Sequence, residues 1–274
     1  MINRMTWVSH SHLTGDSAIV VERSGDICRI AFNRPRRRNA IDGEMAEALR
    51  AALQWFISTD GVRAGLLCGD EAAFSSGGDI GMFAGFEAGD GAHFMRRGYD
   101  ILRPLELSPK PLIAAVRGYC LAGGLEVALA CDFIVASHDA QFGFGELELG
   151  LIPGWGGTAR ISRAIPVRRA RQLVLTSGRF TAEQALDLGL VNECLPPDDV
   201  LARAETLARQ LAACPPDAVE AAQHVMKLAT LDQNFDRILI EEHEAAGRLF
   251  DAESTRSRVS LWLEGARQRA RRRQ

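Results

Sequence analysis

The sequence predicts an α/β fold, with a layered core to about residue 195 and a helical region from there to about residue 265. Three observations carry this reading. Short apolar runs alternate with stretches of helical period. The runs lie next to glycine-rich stretches, where a chain entering a tight turn needs backbone freedom. Past Pro196-Pro197 the pattern is helical almost to the end, interrupted at Pro215-Pro216.

In chain order, residues 1–16 have no clear period and read as a loose tail. Ile19 to Glu22 and Ile27 to Phe32 flank Ser24-Gly25-Asp26, the pattern of a β-hairpin. From Glu44 to Ile57, the residues Met45, Leu49, Ala52, Leu53 and Phe56 fall on one helical face. Ala64 to Cys68 reads as a buried strand, His93 to Leu107 as a helix, and Leu112 to Val116 and Phe133 to Ala136 as two further strands. Thr181-Ala182-Glu183-Gln184 matches a capping box that opens a short helix, which Gly189 ends. The expected organisation is a tail over 1–16, an α/β core over 17–195, a helical region over 196–265 and a basic tail over 266–274.

With 274 residues and 47% apolar composition, the chain can bury a full core. A net charge of −3 gives no field drawing it to nucleic acid or an anionic membrane. The one basic run at an end, Arg267 to Arg273, reads as a solvated helix end. The six cysteines show no CxxC pair and no histidine at ligand spacing, so neither a metal site nor a disulfide framework is expected. Reduced thiols in apolar runs suit a cytoplasmic protein. No apolar stretch is long enough to span a bilayer, and Met1 to Asp16 has no leader-like apolar core.

Candidate chemistry gathers in three glycine-rich stretches: Phe74 to Ile80, Gly118 to Glu126, and Gln141 to Thr158. None fits a dinucleotide fingerprint, a P-loop or a nucleophile elbow. A Gly-Gly pair alone is explained by a tight turn. Glu126 is different, because it begins an otherwise apolar helix, Val127 to Cys131. A carboxylate there must be neutral, paired or facing a solvent-filled site. Three residues away on the same face lies Gly123, whose N–H is unsatisfied within the helix and sits at its positive end. Glu146 and Glu148 are both candidates for a second carboxylate, since in an extended segment they share a face. Phe144 and Trp155 read as core or as the wall of an apolar pocket. The scattered histidines form no nucleophile–base pattern.

In these stretches the chain resembles the enoyl-CoA hydratase/isomerase (crotonase) superfamily, from about residue 18 to about residue 265. Asn33-Arg34-Pro35 with Asn39-Ala40 is similar to the family's NRPxxxNA coenzyme A loop, and Phe74 to Ile80 to its FxxGxDI element. Lys110 to Gly118 leads into the second glycine turn, Ala140 to Gly143 opens the segment with the second glutamate, and Ile152 to Thr158 matches the PGxGGT turn. The resemblance implies a spiral of ββα units with a helical C-terminal region for trimerisation, often doubled to a hexamer. It implies that Gly78 and Gly123 donate the N–H groups of an oxyanion hole, and that Glu126 and Glu146 are the paired glutamates, which selects Glu146 over Glu148. The implied contacts to substrate and coenzyme A are Arg36, Arg38, Ala40, Ser76, Gly78, Asp79, Ile80, Ala122, Gly123, Gly145 and Glu146, although a solvated turn explains the arginines equally well.

The implied activity is hydration of a 2-enoyl-CoA to a 3-hydroxyacyl-CoA through an enolate. Glu126 would activate the water and Glu146 supply the proton. Coenzyme A arrives as part of the substrate, and no tightly bound cofactor is implied. Isomerisation, decarboxylation or plain acyl-CoA binding are the alternatives. Four positions depart from the family pattern: Gly78 stands where Ala is frequent, Ala122 where Gly is, Gly145 where Pro is, and Arg117 where Asn is. In the final helix Ser254 to Arg258 replaces an acidic-glycine signature.

Overall fold

The computed structural model describes residues 6–10, 18–231, 234–253, 255, 257–259, 261, 264 and 268. Of the expected basic tail only Gln268 is among these, so that reading lies outside the described residues. The chain divides into two compact units between Ala213 and Cys214.

The first unit opens with β1 (Val8–Ser9), β2 (Ile19–Ser24) and β3 (Ile27–Phe32). Where the sequence suggested a loose tail, Val8 and Ser9 pair antiparallel with Arg23 and Glu22. A two-residue ladder has no readable period, which is why the pattern missed it. The predicted hairpin forms in register, Ile19 opposite Phe32 and Ser24 opposite Ile27. Next in the chain is helix α1 (Gly43–Ser58), capped by Asp42, whose side chain accepts the Met45 N–H at 2.9 Å. Its far end is closed by Lys110, which donates to the carbonyls of Phe56 (3.1 Å) and Thr59 (2.8 Å).

A strand–strand–helix unit then recurs. Strand β4 (Ala64–Cys68) leads into β5 (Ala73–Ser75), α2 (Ile80–Phe83) and α3 (Asp90–Leu107). Strand β6 (Leu112–Val116) leads into β7 (Tyr119–Leu121) and α4 (Gly123–Ala128). Strand β8 (Phe133–Ser137) leads into β9 (Gln141–Gly143), α5 (Gly157–Ala164) and α6 (Val167–Leu175). The unit closes with β10 (Arg179–Thr181), α7 (Ala182–Asp187), β11 (Glu193–Leu195) and α8 (Val200–Ala212). The Thr181 capping box on Gln184 is present as predicted.

The first strand of each repeat joins a large sheet of order β1-β2-β3-β4-β6-β8-β11, parallel from β3 onward. The second strand joins a smaller sheet of order β10-β9-β7-β5, in which β5, β7 and β9 are parallel. This is the expected spiral of ββα units. Side chains of the large sheet alternate between two cores. Leu66, Ile113 and Val135 meet Val200, Ala204 and Ala208 of α8, while Leu67, Ala114 and Ala136 face the cluster containing Leu49, Leu53 and Phe56 of α1. Because α8 covers one sheet face, it belongs to the first unit, which ends at Ala213.

The second unit contains α9 (Pro216–Leu231) and α10 (Phe235–Asp251), which pack on each other and bring His224 Nε2 within 3.8 Å of Glu241 Oε2. Among the described residues, no helix is long and apolar enough to cross a membrane.

One buried polar residue ties the loop after β3 to the start of β5. Asn39 is fully buried at a positive φ of 55°. Its side chain accepts the Arg34 N–H (2.8 Å) and donates to the Ala73 carbonyl (2.8 Å) and to Asp70 Oδ2 (3.1 Å). Its carbonyl accepts the Ser75 hydroxyl at 2.8 Å, and that hydroxyl accepts the Gly77 N–H at 3.2 Å. Replacing Asn39→Ala orphans the side-chain partners and leaves a β-carbon residue in a left-handed conformation. Urea unfolding is expected to show a loss of about 1–3 kcal/mol.

Candidate active site

Parallel pairing places the C-terminal ends of β5, β7 and β9 on one edge of the small sheet, where Ser75 is level with Cys120 and Leu121 with Gly143. The crevice beyond the carboxyl ends of parallel strands is where ligands bind in many α/β folds. Here each strand opens into one of the glycine-rich stretches. Residues from all three turns, Ser76 and Gly78, Ala122 and Gly123, and Phe144 to Glu146, line a cavity of about 300 Å³.

The first two turns abut. Gly77 has a φ of +93°, and a Cβ there would stand 2.6 Å from the Ala122 Cβ and 2.9 Å from the Leu121 carbonyl oxygen. A Cβ on Gly123 would lie 3.5 Å from the Gly78 nitrogen, so the amides of Gly78 and Gly123 are near neighbours. Neither N–H is used in the hydrogen bonds of the described residues. Gly123 is the first residue of α4, where an N–H has no intrahelical acceptor. Ala122 precedes it at φ 48°, ψ −125°, a conformation that L side chains rarely adopt. Its N–H donates to the Gly143 carbonyl at 2.8 Å, and its own carbonyl accepts the Glu126 N–H at 3.0 Å.

Glu126 is 3% exposed, with its Oε1 accepting the Gly157 N–H at 2.7 Å. That N–H belongs to the first turn of α5, where unpaired amides and the helix dipole favour negative charge. The fit is tight, since a Cβ on Gly157 would come within 2.8 Å of Glu126 Cγ. Burial nevertheless pushes the Glu126 carboxyl up to about 7, with the nearby Glu146 charge acting in the same direction and the Gly157 and Trp155 amides and Arg160 opposing it. Arg160 is itself engaged by Glu106, Nε to Oε1 at 2.6 Å.

Glu146 starts a 3-10 turn, Glu146–Leu149, and is half-buried. Its Oε2 accepts the Gly145 N–H at 2.9 Å, and burial raises its pKa as well. Glu148 also lines the cavity but is exposed.

The cavity thus brings together Gly78, Gly123, Glu126 and Glu146, with Ser76, Ile80, Ala122 and Gly145 of the expected contacts. Asp79 instead caps α2, accepting the Met82 N–H, and pairs with Arg37 at 3.2 Å. Arg36, Arg38 and Ala40 lie off the cavity lining. Arg38 is exposed and sits 5.2 Å from the Tyr119 ring centroid. Phe144 and Trp155, each readable as core or pocket wall, are both buried and on the lining. Several contributors were not assigned from the sequence. Gly157 was marked by the Gly156-Gly157 pair, whereas Ile41 comes after Asn39-Ala40 without a signal of its own. Arg179 comes from β10, which a pairing with Gly143 brings to the cavity, and no local pattern announces it.

The sequence profile of the Enoyl-CoA hydratase/isomerase family matches residues 22–269. A short-chain-enoyl-CoA hydratase of Clostridium acetobutylicum is 32% identical over 247 residues, covering 90% of this chain and 94% of the relative. A carnitinyl-CoA dehydratase of Salmonella arizonae is 38% identical over 206 residues, covering 75% and 78%. The crystal structure of an enoyl-CoA hydratase from Bacillus anthracis superposes with a TM-score of 0.87 at 30% identity, covering 90% of this chain and 96% of that one.

This geometry makes two outcomes measurable. A carboxyl raised from 4.5 to about 7 on folding stabilises the fold below its unfolded pKa, and that contribution is lost as pH rises through 7. Glu126→Gln removes the titration, so unfolding measured from about pH 5 to about pH 8 should move progressively in the variant's favour relative to wild type. Ala122→Gly relieves a strained backbone at the cost of added chain entropy, and should raise the urea midpoint by the equivalent of about 1 kcal/mol.

Proposed function

The chain belongs to the enoyl-CoA hydratase/isomerase family, and on that premise we propose that it adds water across the double bond of a 2-enoyl-CoA to give a 3-hydroxyacyl-CoA. The observation that carries this reading is the placement of two raised carboxyls, Glu126 and Glu146, on the cavity that the Gly78 and Gly123 amides adjoin.

In the proposed reaction the thioester oxygen lies against those two amides. Attack of water on C3 moves an electron pair toward that oxygen, and the enolate charge is met by donors already in place. The water proton passes to Glu126, and C2 then takes a proton from Glu146 as the enolate collapses. Burial raises both carboxyls and the Glu146 charge raises Glu126 further, which favours the singly protonated pair that this exchange needs. The net change is one water added, and the pair re-equilibrates its proton between turnovers.

Coenzyme A enters as the handle of the substrate. Arg179 lines the cavity, and its guanidinium carbon and that of Arg38 lie 5.9 Å and 5.2 Å from the Tyr119 ring centroid. We assign them, with the exposed Arg36, to its phosphates. Ser76, Asp79, Ile80, Ala40 and Ala122 complete the proposed contacts, mainly through backbone.

Crotonyl-CoA should be hydrated, read as loss of the conjugated-thioester absorbance. Glu126→Gln and Glu146→Gln should each lower kcat by about 10²–10⁴ with little change in KM. Full activity after either single change would replace hydration with a one-carboxylate reaction such as isomerisation.

A further inference from the structure

A second cavity of about 660 Å³ lies beside the first. Ile80, Phe83, Met95, Leu149, Leu151 and Ile152 line both, so the two are continuous. Beyond them Ala84, Phe86 and Gly91 also line the second cavity, and no titratable side chain lines it among the described residues. An aromatic series leads outward from the buried glutamate: Trp155 lies 5.1 Å from Phe94, Phe94 5.5 Å from Phe83, and Phe83 5.4 Å from Phe86, centroid to centroid. At the rim Ile80 and Ile152 leave 61% and 66% of their surface in water. Large apolar side chains left exposed at the mouth of an apolar cavity are a surface that a ligand covers. Arg179, a cation on the first cavity, does not reach the second.

We infer that the acyl group is a straight apolar chain longer than four carbons, with its tail lying along Phe83, Leu151 and Phe86 toward Gly91. This rests on the hydratase reading and specifies its substrate class. A tail ending in a carboxylate would meet only apolar lining there, with no cation on that cavity to pair with.

The test is kcat/KM for 2-enoyl-CoAs of four, six, eight and ten carbons, together with a six-carbon enoyl-CoA whose tail ends in a carboxylate. Each added methylene should raise kcat/KM about fourfold until the cavity is filled. The carboxylate-tailed thioester should fall on the order of 10²-fold below its six-carbon counterpart. Gly91 offers a clean block, because a Cβ there would meet nothing within 4 Å. Gly91→Phe should lower kcat/KM for the eight-carbon substrate about fifteenfold, the equivalent of two methylenes, while leaving the four-carbon substrate unchanged. Hydration of the four-carbon thioester with no gain on lengthening, or with a preference for the carboxylate tail, overturns this inference alone. Absence of hydration at every length takes the hydratase reading with it.

Discussion

The architecture of the site depends on a lack of space. Two turns that leave neighbouring parallel strands are pressed together until no side chain fits between them. Gly77 is confronted by the Ala122 methyl and the Leu121 carbonyl, and a Cβ on Gly124 would stand 2.5 Å from the Ser75 carbonyl oxygen. Only this approach brings the Gly78 and Gly123 amides side by side. The strands enforce it, because β5 and β7 run parallel up to the turns. Steric exclusion thus does for the amides what covalent linkage would do in a small molecule: it fixes their separation before any ligand arrives.

Around that contact the fold accepts local costs that are concentrated where chemistry is proposed. Ala122 is held in a backbone conformation that suits glycine, and Glu126 is buried where ionisation is disfavoured. Neither would help a protein selected for stability alone. Both are held by strong local restraints. The Ala122 N–H and carbonyl are each hydrogen-bonded, and the Glu126 carboxyl meets the first turn of α5. The same hydrogen bond that holds Glu126 orients its Oε1.

Much of this was legible from the sequence, and the illegible parts have a common cause. Helix α1 and strands β3, β4 and β6 are long enough for period and burial to agree, and they appear where the pattern put them. Strands β5, β7 and β9 have three residues each and sit inside glycine-rich stretches, too short for any alternation to register. Glu126 was readable because a carboxylate in an apolar run is a local contradiction. Arg179 was not, since it reaches the cavity through β10 pairing back to β9, which no local pattern encodes. The approach of His138 Nδ1 to Cys194 Sγ, 3.1 Å across 56 residues, is hidden for the same reason. The first unit takes in α8, whose sequence is as helical as that of α9 while its alanines are committed to the sheet.

The Asn39 side chain, its carbonyl and the Ser75 hydroxyl make the loop after β3 and the turn after β5 a single rigid piece. If that loop grips the nucleotide end of the thioester, as proposed, then anchoring and activation cannot be tuned separately. Any change that shifts the grip also shifts the Gly77-Gly78 backbone, so affinity and turnover would drift together through evolution. Diversification within such a scaffold is channelled toward the opposite end of the substrate, where the walls can be remodelled without disturbing the joint.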